Sequence, residues 1–382
     1  MVESTKLNVR EELEAKLSEY IGVKYVIGAS LGRTALFVLL QAINLTKEDE
    51  VVMPAYICEV VPNAVLKSGG IPVFVDTNPD DYHISAKHLE SLLSKKTRAV
   101  IVNHIFGCTE DITRIREAIS SYNIYLIEDA AHALGARLGE KRVGSLGDAA
   151  FFSLTKNISN CGGGIITTNN PKIADPARKL VEKARIASLM TQLQIGLTSY
   201  METRRVHSTL ANSFFGWLDF AATKLRFLTG EYYRELKIPD GLALSPKEAR
   251  LALSQLARLD EQNKKRTHHQ HFLNTLLKDA TAFTLPKTSG ETSGSICSWY
   301  PLRLKDPDLI TKAIKTLAQQ HVFLYKFWDP IPLQQRKYND RQSAADVPNA
   351  IRNAASTLVF KMDPNMSEKQ LLRIGNALLS VS

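Results

Sequence analysis

A lysine, an aspartate and a glycine turn are the residues of this sequence whose types and settings suit chemistry. Lys156 stands in "FFSLTKNISNCGGG" (151–164), after an apolar run, beside Ser153 and Thr155 and ahead of three glycines. A lysine is expensive to bury uncompensated, and glycines let a backbone approach something closely. A lysine with a depressed pKa is the usual amine for Schiff-base chemistry; a solvated lysine at a strand end is the plainer alternative. Asp129 ends the apolar run of "LIEDAAHALGA" (126–136). A carboxylate there either caps a helix or meets a positive partner such as a protonated ring nitrogen. In "ASLGRTAL" (29–36) Gly32 sits where a strand passes into a helix, and the N–H groups of a helix start favour a phosphate. Arg33 and Thr34 would add a charge and a hydroxyl there. A plain capping turn is the alternative.

Taken together, a phosphate turn, a strand-end aspartate and, 27 positions later, a lysine among Ser, Thr and Gly match the needs of pyridoxal phosphate. That cofactor requires a phosphate cradle, an acid partner for its pyridine nitrogen and an amine that traps its aldehyde.

The elements that must position these residues alternate between strand and helix from residue 23 onward. "VKYVIGA", "EVVMPAY", "IPVFVD", "RAVIVNHIFG" and "IYLIED" read as strands; "GRTALFVLLQAI", "VVPNAVLKSGG", "SAKHLESLLSKK" and "ITRIREAISSYN" read as the helices between them. Strands this continuously apolar, linked by helices, imply an α/β fold with a mostly parallel sheet covered on both faces. Ligands of such sheets bind beyond the carboxyl ends of the strands. After "AAFFSL" and "GGGIITTNN" the alternation stops. Residues 175–235 read as a helical excursion that holds the apolar stretch "STLANSFFGWLDFAATKLRFLTGEYY", packed on the body or a partner subunit, or meeting a membrane face. "SPKEARLALSQLARLDEQNKKRTHHQHFLNTLL" reads as one long amphipathic helix leading into a smaller α+β region. The expected division is a large domain over 1–240 and a small one over 241–382.

Composition narrows the class. The chain has 382 residues, 44% hydrophobic and 23% charged, and a formal net charge of +9, which suits a soluble globular protein that meets phosphorylated small molecules. No basic tail or RNA-binding motif points to nucleic acid. The four cysteines (Cys58, Cys108, Cys161, Cys297) form no CxxC pair, so neither a metal site nor a disulfide framework is expected, and a reducing, cytoplasmic setting is.

The long ordered run "VNHIFGCTEDITRIREAISSYNIYLIEDAAHALGARLGEKRVGSLGDAAFFSLTKN", with "MPAYICEVVPNAVLKSGGIPVFVD" before it and "WDPIPLQQRKY" and "VPNAIRNAASTLVFKMDPNMSEKQLLRI" after it, resembles the DegT/DnrJ/EryC1/StrS family of pyridoxal-phosphate-dependent sugar aminotransferases. The resemblance implies the fold type I transferase architecture, in which a smaller α+β domain follows the large one. It implies that Lys156 is the Schiff-base lysine and proton shuttle, that Asp129 keeps the pyridine nitrogen protonated, and that His132 lies near the cofactor's phenolic oxygen. Ser153 and the Gly32–Arg33–Thr34 turn would hold the phosphate. It further implies glutamate as amino donor, a keto-sugar on a nucleotide as acceptor, and a homodimer with the site at its interface. Related deoxygenating enzymes carry a histidine in place of the lysine, so Lys156 argues for amine transfer.

Three departures stand out. Cys58 falls where the family often has an aromatic residue on the cofactor ring, with Tyr56 nearby as a substitute. "NCGGG" replaces Gly-Glu-Gly-Gly. "DGLAL", around Gly241 and Ala243, replaces the segment whose asparagine reaches the partner's phosphate, so Arg33 is expected to supply that charge. The rival readings are a non-catalytic binder of pyridoxal phosphate or a sugar nucleotide, an aminotransferase for a lipid-linked or other hydrophobic acceptor, and a membrane-surface binding protein.

Overall fold

The computed structural model describes residues 8–159, 161–184, 186, 188, 190–197, 241–286, 294–335, 338 and 342–381. The apolar strand runs build one seven-stranded sheet. Along the chain lie β1 (Tyr25–Ala29), β2 (Glu50–Pro54), β3 (Ile71–Val75), β4 (Thr97–Asn103), β5 (Tyr125–Asp129), a separate hairpin of β6 (Arg137–Leu138) and β7 (Lys141–Arg142), then β8 (Ala149–Ser153) and β9 (Gly164–Thr168). The order across the sheet is β1-β9-β8-β5-β4-β2-β3. From β8 to β3 every pairing is parallel, whereas β9 runs against both β8 and β1. β9 alone is therefore reversed, and the carboxyl ends of the other strands share one edge.

Alternate residues of each strand face two different cores, which is why the strands are apolar throughout. Val51, Met53, Ile101 and Ile127 pack with helices α2 (Gly32–Ala42), α3 (Val60–Lys67) and α7 (Pro171–Lys183). Val52, Val100, Val102 and Leu126 pack on the opposite side with α4 (Ala86–Leu92) and α5 (Ile112–Ile119). Asn8 closes a capping box at the start of α1 (Val9–Ile21), and Ser85 caps α4. The head of α2 differs: its N-cap is Leu31, which supplies no side-chain acceptor, so the first N–H groups of this helix lack a side-chain cap.

The expected single helix over 245–277 is two, α8 (Pro246–Leu256) and α9 (Leu259–Leu276). The break serves two packing partners. Ala249 and Ala252 of α8 share a core with Leu13 and Leu17 of α1, while Leu273 of α9 packs with Ile374 and Leu378 of α12 (Glu368–Leu379). One straight stripe does not face both, and Arg258, at φ −101° and ψ 0°, turns the chain between them. The remaining C-terminal elements are β10 (Phe283–Thr284), β11 (Trp299–Leu304), α10 (Ile310–Gln319), β12 (Tyr325–Lys326), α11 (Pro348–Ser356) and β13 (Thr357–Lys361). Their strands form an antiparallel sheet in the order β10-β11-β13-β12.

Of the helical excursion expected over 175–235, α7 continues to Lys183 and residues 190–197 are helical. The apolar stretch at 208–233 lies outside the described residues. Among the described residues no helix is long and apolar enough to cross a membrane.

Candidate active site

The chemically notable residues gather where the parallel strands end. Asp129 is the last residue of β5, and Ser153, the last of β8, opens the short helix α6 (Leu154–Asn157) that carries Lys156. β5 and β8 are neighbours, with Asp129 opposite Phe151, so residues far apart in sequence become two adjacent strand ends. Gly32 crosses the same edge. A Cβ on Gly164 would lie 2.6 Å from the Gly32 backbone, and one on Gly32 would lie 3.0 Å from the Ser153 Cβ. The glycines after Lys156 thus admit the backbone at the head of α2.

Asn157 fixes Lys156 against the segment that follows Asp129. Its Nδ2 donates to the carbonyls of Ala131 (2.8 Å) and Ser153 (2.9 Å), and its Oδ1 accepts from the Leu134 N–H at 3.2 Å. From α9, Asn263 donates to the Leu134 carbonyl (3.0 Å) and the buried Arg266 to the carbonyls of Met362 (3.3 Å) and Asn157 (3.5 Å). Burial lowers the Arg266 pKa to about 10. Nothing local in the sequence marks this brace, because its bonds join residues up to 129 positions apart. Asn157→Ala leaves the Ala131 and Ser153 carbonyls and the Leu134 N–H without that partner. Urea unfolding is expected to show a loss of about 2–4 kcal/mol, with the lysine itself unchanged.

No helix follows Asp129, so it is not a helix N-cap; it caps a turn, accepting the Ala131 N–H at 3.0 Å. Burial lifts its pKa from 3.8 to about 6, against smaller opposing effects of that hydrogen bond and of His104. A carboxylate held this far from its preferred hydration is poised for a cationic N–H donor. The residue before it has the opposite setting. Glu128 is fully buried, accepts the N–H groups of Gly144 (2.8 Å), Leu146 (2.8 Å) and Gly147 (2.6 Å), and pairs with His104 Nε2 at 3.0 Å. Among the described residues both Glu128 carboxylate oxygens have hydrogen-bond partners, whereas Asp129 accepts one hydrogen bond, from the Ala131 N–H.

The head of α2 is a cradle for an anion. Among the described residues the Arg33 guanidinium makes no hydrogen bond or ion pair, and burial lowers its pKa. The Ser153 hydroxyl also lacks a partner among the described residues and is not the cap of α6. Thr34 is fully buried, and its hydroxyl accepts from Ser30 at 3.1 Å. Cys58 follows β2, accepts the Val60 N–H, and has its thiol pKa raised by burial, with Lys156 acting the other way. The cradle therefore stands next to the lysine. In "DGLAL", the Leu242 carbonyl accepts the Ser30 N–H at 2.8 Å and Ala243 bridges to Ala29, which fastens that segment behind the cradle.

Aromatic rings close the other side, a feature not read from the sequence. The Lys156 Nζ lies 5.7 Å from the centre of the Trp299 ring, which meets Phe327 edge-on at 4.6 Å. His132, nearly buried, stands among Phe106, Trp299, Phe327 and Trp328 at ring separations of 6.0–6.5 Å. Trp328 in turn meets the Tyr56 edge at 5.1 Å. These rings come from well-separated stretches of chain, so no local pattern announces them.

A large α/β layer with one reversed strand, a lysine after β8 and an aspartate ending β5, followed by an antiparallel α+β layer, is the architecture of fold type I transferases. The sequence profile of the DegT/DnrJ/EryC1/StrS aminotransferase family matches residues 4–201 and 231–379, and the chain belongs to that family. GDP-perosamine synthase of Caulobacter vibrioides is 38% identical over 171 residues, 44% of this chain and 46% of that protein. The dTDP-3-amino-3,6-dideoxy-alpha-D-galactopyranose transaminase of Aneurinibacillus thermoaerophilus is 38% identical over 170 residues, 43% of this chain and 46% of that one. The matched stretch thus spans about half the length of these curated relatives. Among solved structures, S. venezuelae DesV in complex with a ketimine intermediate superposes with a TM-score of 0.78 at 20% identity, covering 99% of this chain and 91% of that one. At that identity the likeness is one of fold.

Proposed function

We propose that this chain is a pyridoxal 5'-phosphate-dependent aminotransferase that moves an amino group, from glutamate, to a keto-sugar carried on a nucleotide. The observation that carries the reading is a meeting of groups at one sheet edge. Lys156 and a desolvated Asp129 stand there with Arg33, which has no partner among the described residues, at an uncapped helix head. The names of the relatives, one GDP-linked and one dTDP-linked, support the acceptor class.

The residues fit the cofactor part by part. Arg33, Ser153 and the N–H groups at the head of α2 take the phosphate, Asp129 the ring nitrogen, His132 the phenolic oxygen, Cys58 a ring face and Lys156 the aldehyde carbon. When bound, the cofactor supplies an electron sink that makes a neighbouring C–H bond acidic. Asp129 would keep the ring nitrogen protonated, Lys156 Nζ would take the proton from the donor's α-carbon and deliver it to the carbon on the other side of the transferred nitrogen, and the aromatic wall would exclude water. The acceptor half runs the same proton transfers in reverse. The reading includes a homodimer, a cytoplasmic setting, and a division into domains 1–240 and 241–382 with α8 packed on the larger.

Glutamate added to the yellow protein should shift its visible absorbance, and a keto-sugar nucleotide should restore it with an amino-sugar product in the mass spectrum. Failure of borohydride to fix the cofactor to Lys156 overturns the reading. Arg33→Ala is expected to weaken cofactor binding about 10- to 100-fold, the worth of one or two charge-assisted hydrogen bonds, measured by fluorescence titration. Unchanged affinity would show that the phosphate draws its charge from elsewhere.

A further inference from the structure

Two bulky aromatic residues of the cleft hold a backbone conformation that side chains rarely adopt. Phe106 has φ +60° and Trp328 φ +53°. Left-handed backbone at a large residue is disfavoured and persists where the surrounding contacts over-determine it, most often at functional sites. The two come from distant stretches, the turn after β4 and the strap after β12, yet both rings meet one imidazole. Phe106 lies 6.5 Å from His132 at an interplanar angle of 14°, and Trp328 lies 6.2 Å from it at 9°. The other two rings near His132, Trp299 and Phe327, are tilted by 44° and 37°. Of these four rings, the left-handed pair alone lies parallel to it.

The same two residues are held from behind. The Lys326–Asp329 ion pair spans the strap, and Tyr56 meets the Trp328 edge at 5.1 Å. The Ser298 N–H donates to the Phe106 carbonyl at 3.0 Å. The Phe106 N–H points at His132 Nδ1, 3.4 Å away. An imidazole that accepts at Nδ1 is neutral and carries its hydrogen on Nε2. The χ2 torsion of a histidine is otherwise broad, so the plane of this ring needs an outside constraint.

We infer that Phe106 and Trp328 are positioning residues that act through His132, holding its imidazole in one plane and one tautomer so that Nε2–H donates to the phenolic oxygen of the bound cofactor. The inference rests on the pyridoxal phosphate reading. It assigns the strap at 326–329 a part in cofactor electronics, so that the C-terminal layer reaches the ring through an imidazole that belongs to the large sheet.

The test compares full-length cofactor-loaded Trp328→Leu, Trp328→Phe, Phe106→Leu, His132→Ala and the Trp328→Leu/His132→Ala double variant with the parent. The readout is the ratio of the bound cofactor's two absorption bands, visible and near-ultraviolet, at one fixed pH. A hydrogen bond to the phenolic oxygen sets that ratio. Trp328→Leu and Phe106→Leu are expected to shift it about threefold or more, the scale of an aromatic pair, in the direction of His132→Ala. Trp328→Phe should restore it, and Trp328→Leu should add nothing once His132 is gone. A parent-like ratio in Trp328→Leu, or a further shift of the His132→Ala ratio on adding it, overturns the inference. Borohydride trapping on the parent separates the two claims: if the cofactor is not fixed to Lys156, the pyridoxal phosphate reading itself has failed.

Discussion

Lys156→Ala is expected to lower amine transfer by about 10,000-fold or more, the scale of a lost general acid–base that is also the covalent anchor. The group's position explains why no neighbour replaces it. Lys156 is the third residue of a four-residue helix whose start is bound to the end of β8 and whose next residue, Asn157, is tied to the Ala131 and Ser153 carbonyls. Among the described residues, the other cation beside the thiol of Cys58 is Arg33, and its pKa, though lowered by burial, belongs to a guanidinium that does not lose its proton at neutral pH. Lys156→Arg should therefore fail as fully as Lys156→Ala while keeping the charge. Both variants are expected to keep the parent's unfolding midpoint, since the brace runs through Asn157. Mass spectrometry after borohydride reduction provides the check: the parent carries the cofactor's mass on the peptide containing Lys156, and the variants carry none. A variant that retained about a hundredth of the parent rate, far above the loss expected for a missing acid–base, would move the proton transfers to another group.

The features that were legible in the sequence are those written in local pattern. Buried parallel strands are apolar at successive positions because both faces are covered, and "VVM" in β2 and "VIV" in β4 show it. Lys156 and Asp129 stood out because a charged residue at the end of such a run lies at the edge where parallel strands deliver side chains. The residues that brace them did not. Arg266 and Asn263 read as two more polar positions on a helix, and only the fold turns them toward Asn157 and Leu134. Glu248 is similar. Its carboxylate reads as one more polar position on α8, and only the fold brings it to accept the Gly162 N–H. The single helix expected over 245–277 failed for the same reason. A continuous helical pattern does not reveal that its two halves pack on different partners.

Asp129→Asn is expected to stabilise the cofactor-free protein while lowering amine transfer about 1,000-fold, the scale of a lost general acid–base contribution. A merely structural aspartate does not give that pairing of effects. Its carboxyl has a pKa raised from 3.8 to about 6, so the folded protein holds this proton more tightly than the unfolded chain. The sign follows from linkage: the unliganded fold gains from the protonated group at low pH and loses that gain as pH rises from about 4 to 6. At neutral pH the ionised carboxylate then costs the fold about 3 kcal/mol at most, and an uncharged amide removes that cost. Cofactor affinity moves the other way. Below about pH 6 both the ring nitrogen and Asp129 hold protons, and binding must release one, so affinity should fall about tenfold for each further pH unit. The cofactor's phosphate also titrates near about 6, and its contribution is common to both proteins. The difference between the parent and Asp129→Asn affinity profiles, each titrated over about pH 5 to 8, therefore isolates the carboxylate. Coincident profiles would mean that Asp129 does not face the ring nitrogen, and the raised pKa would then report burial alone.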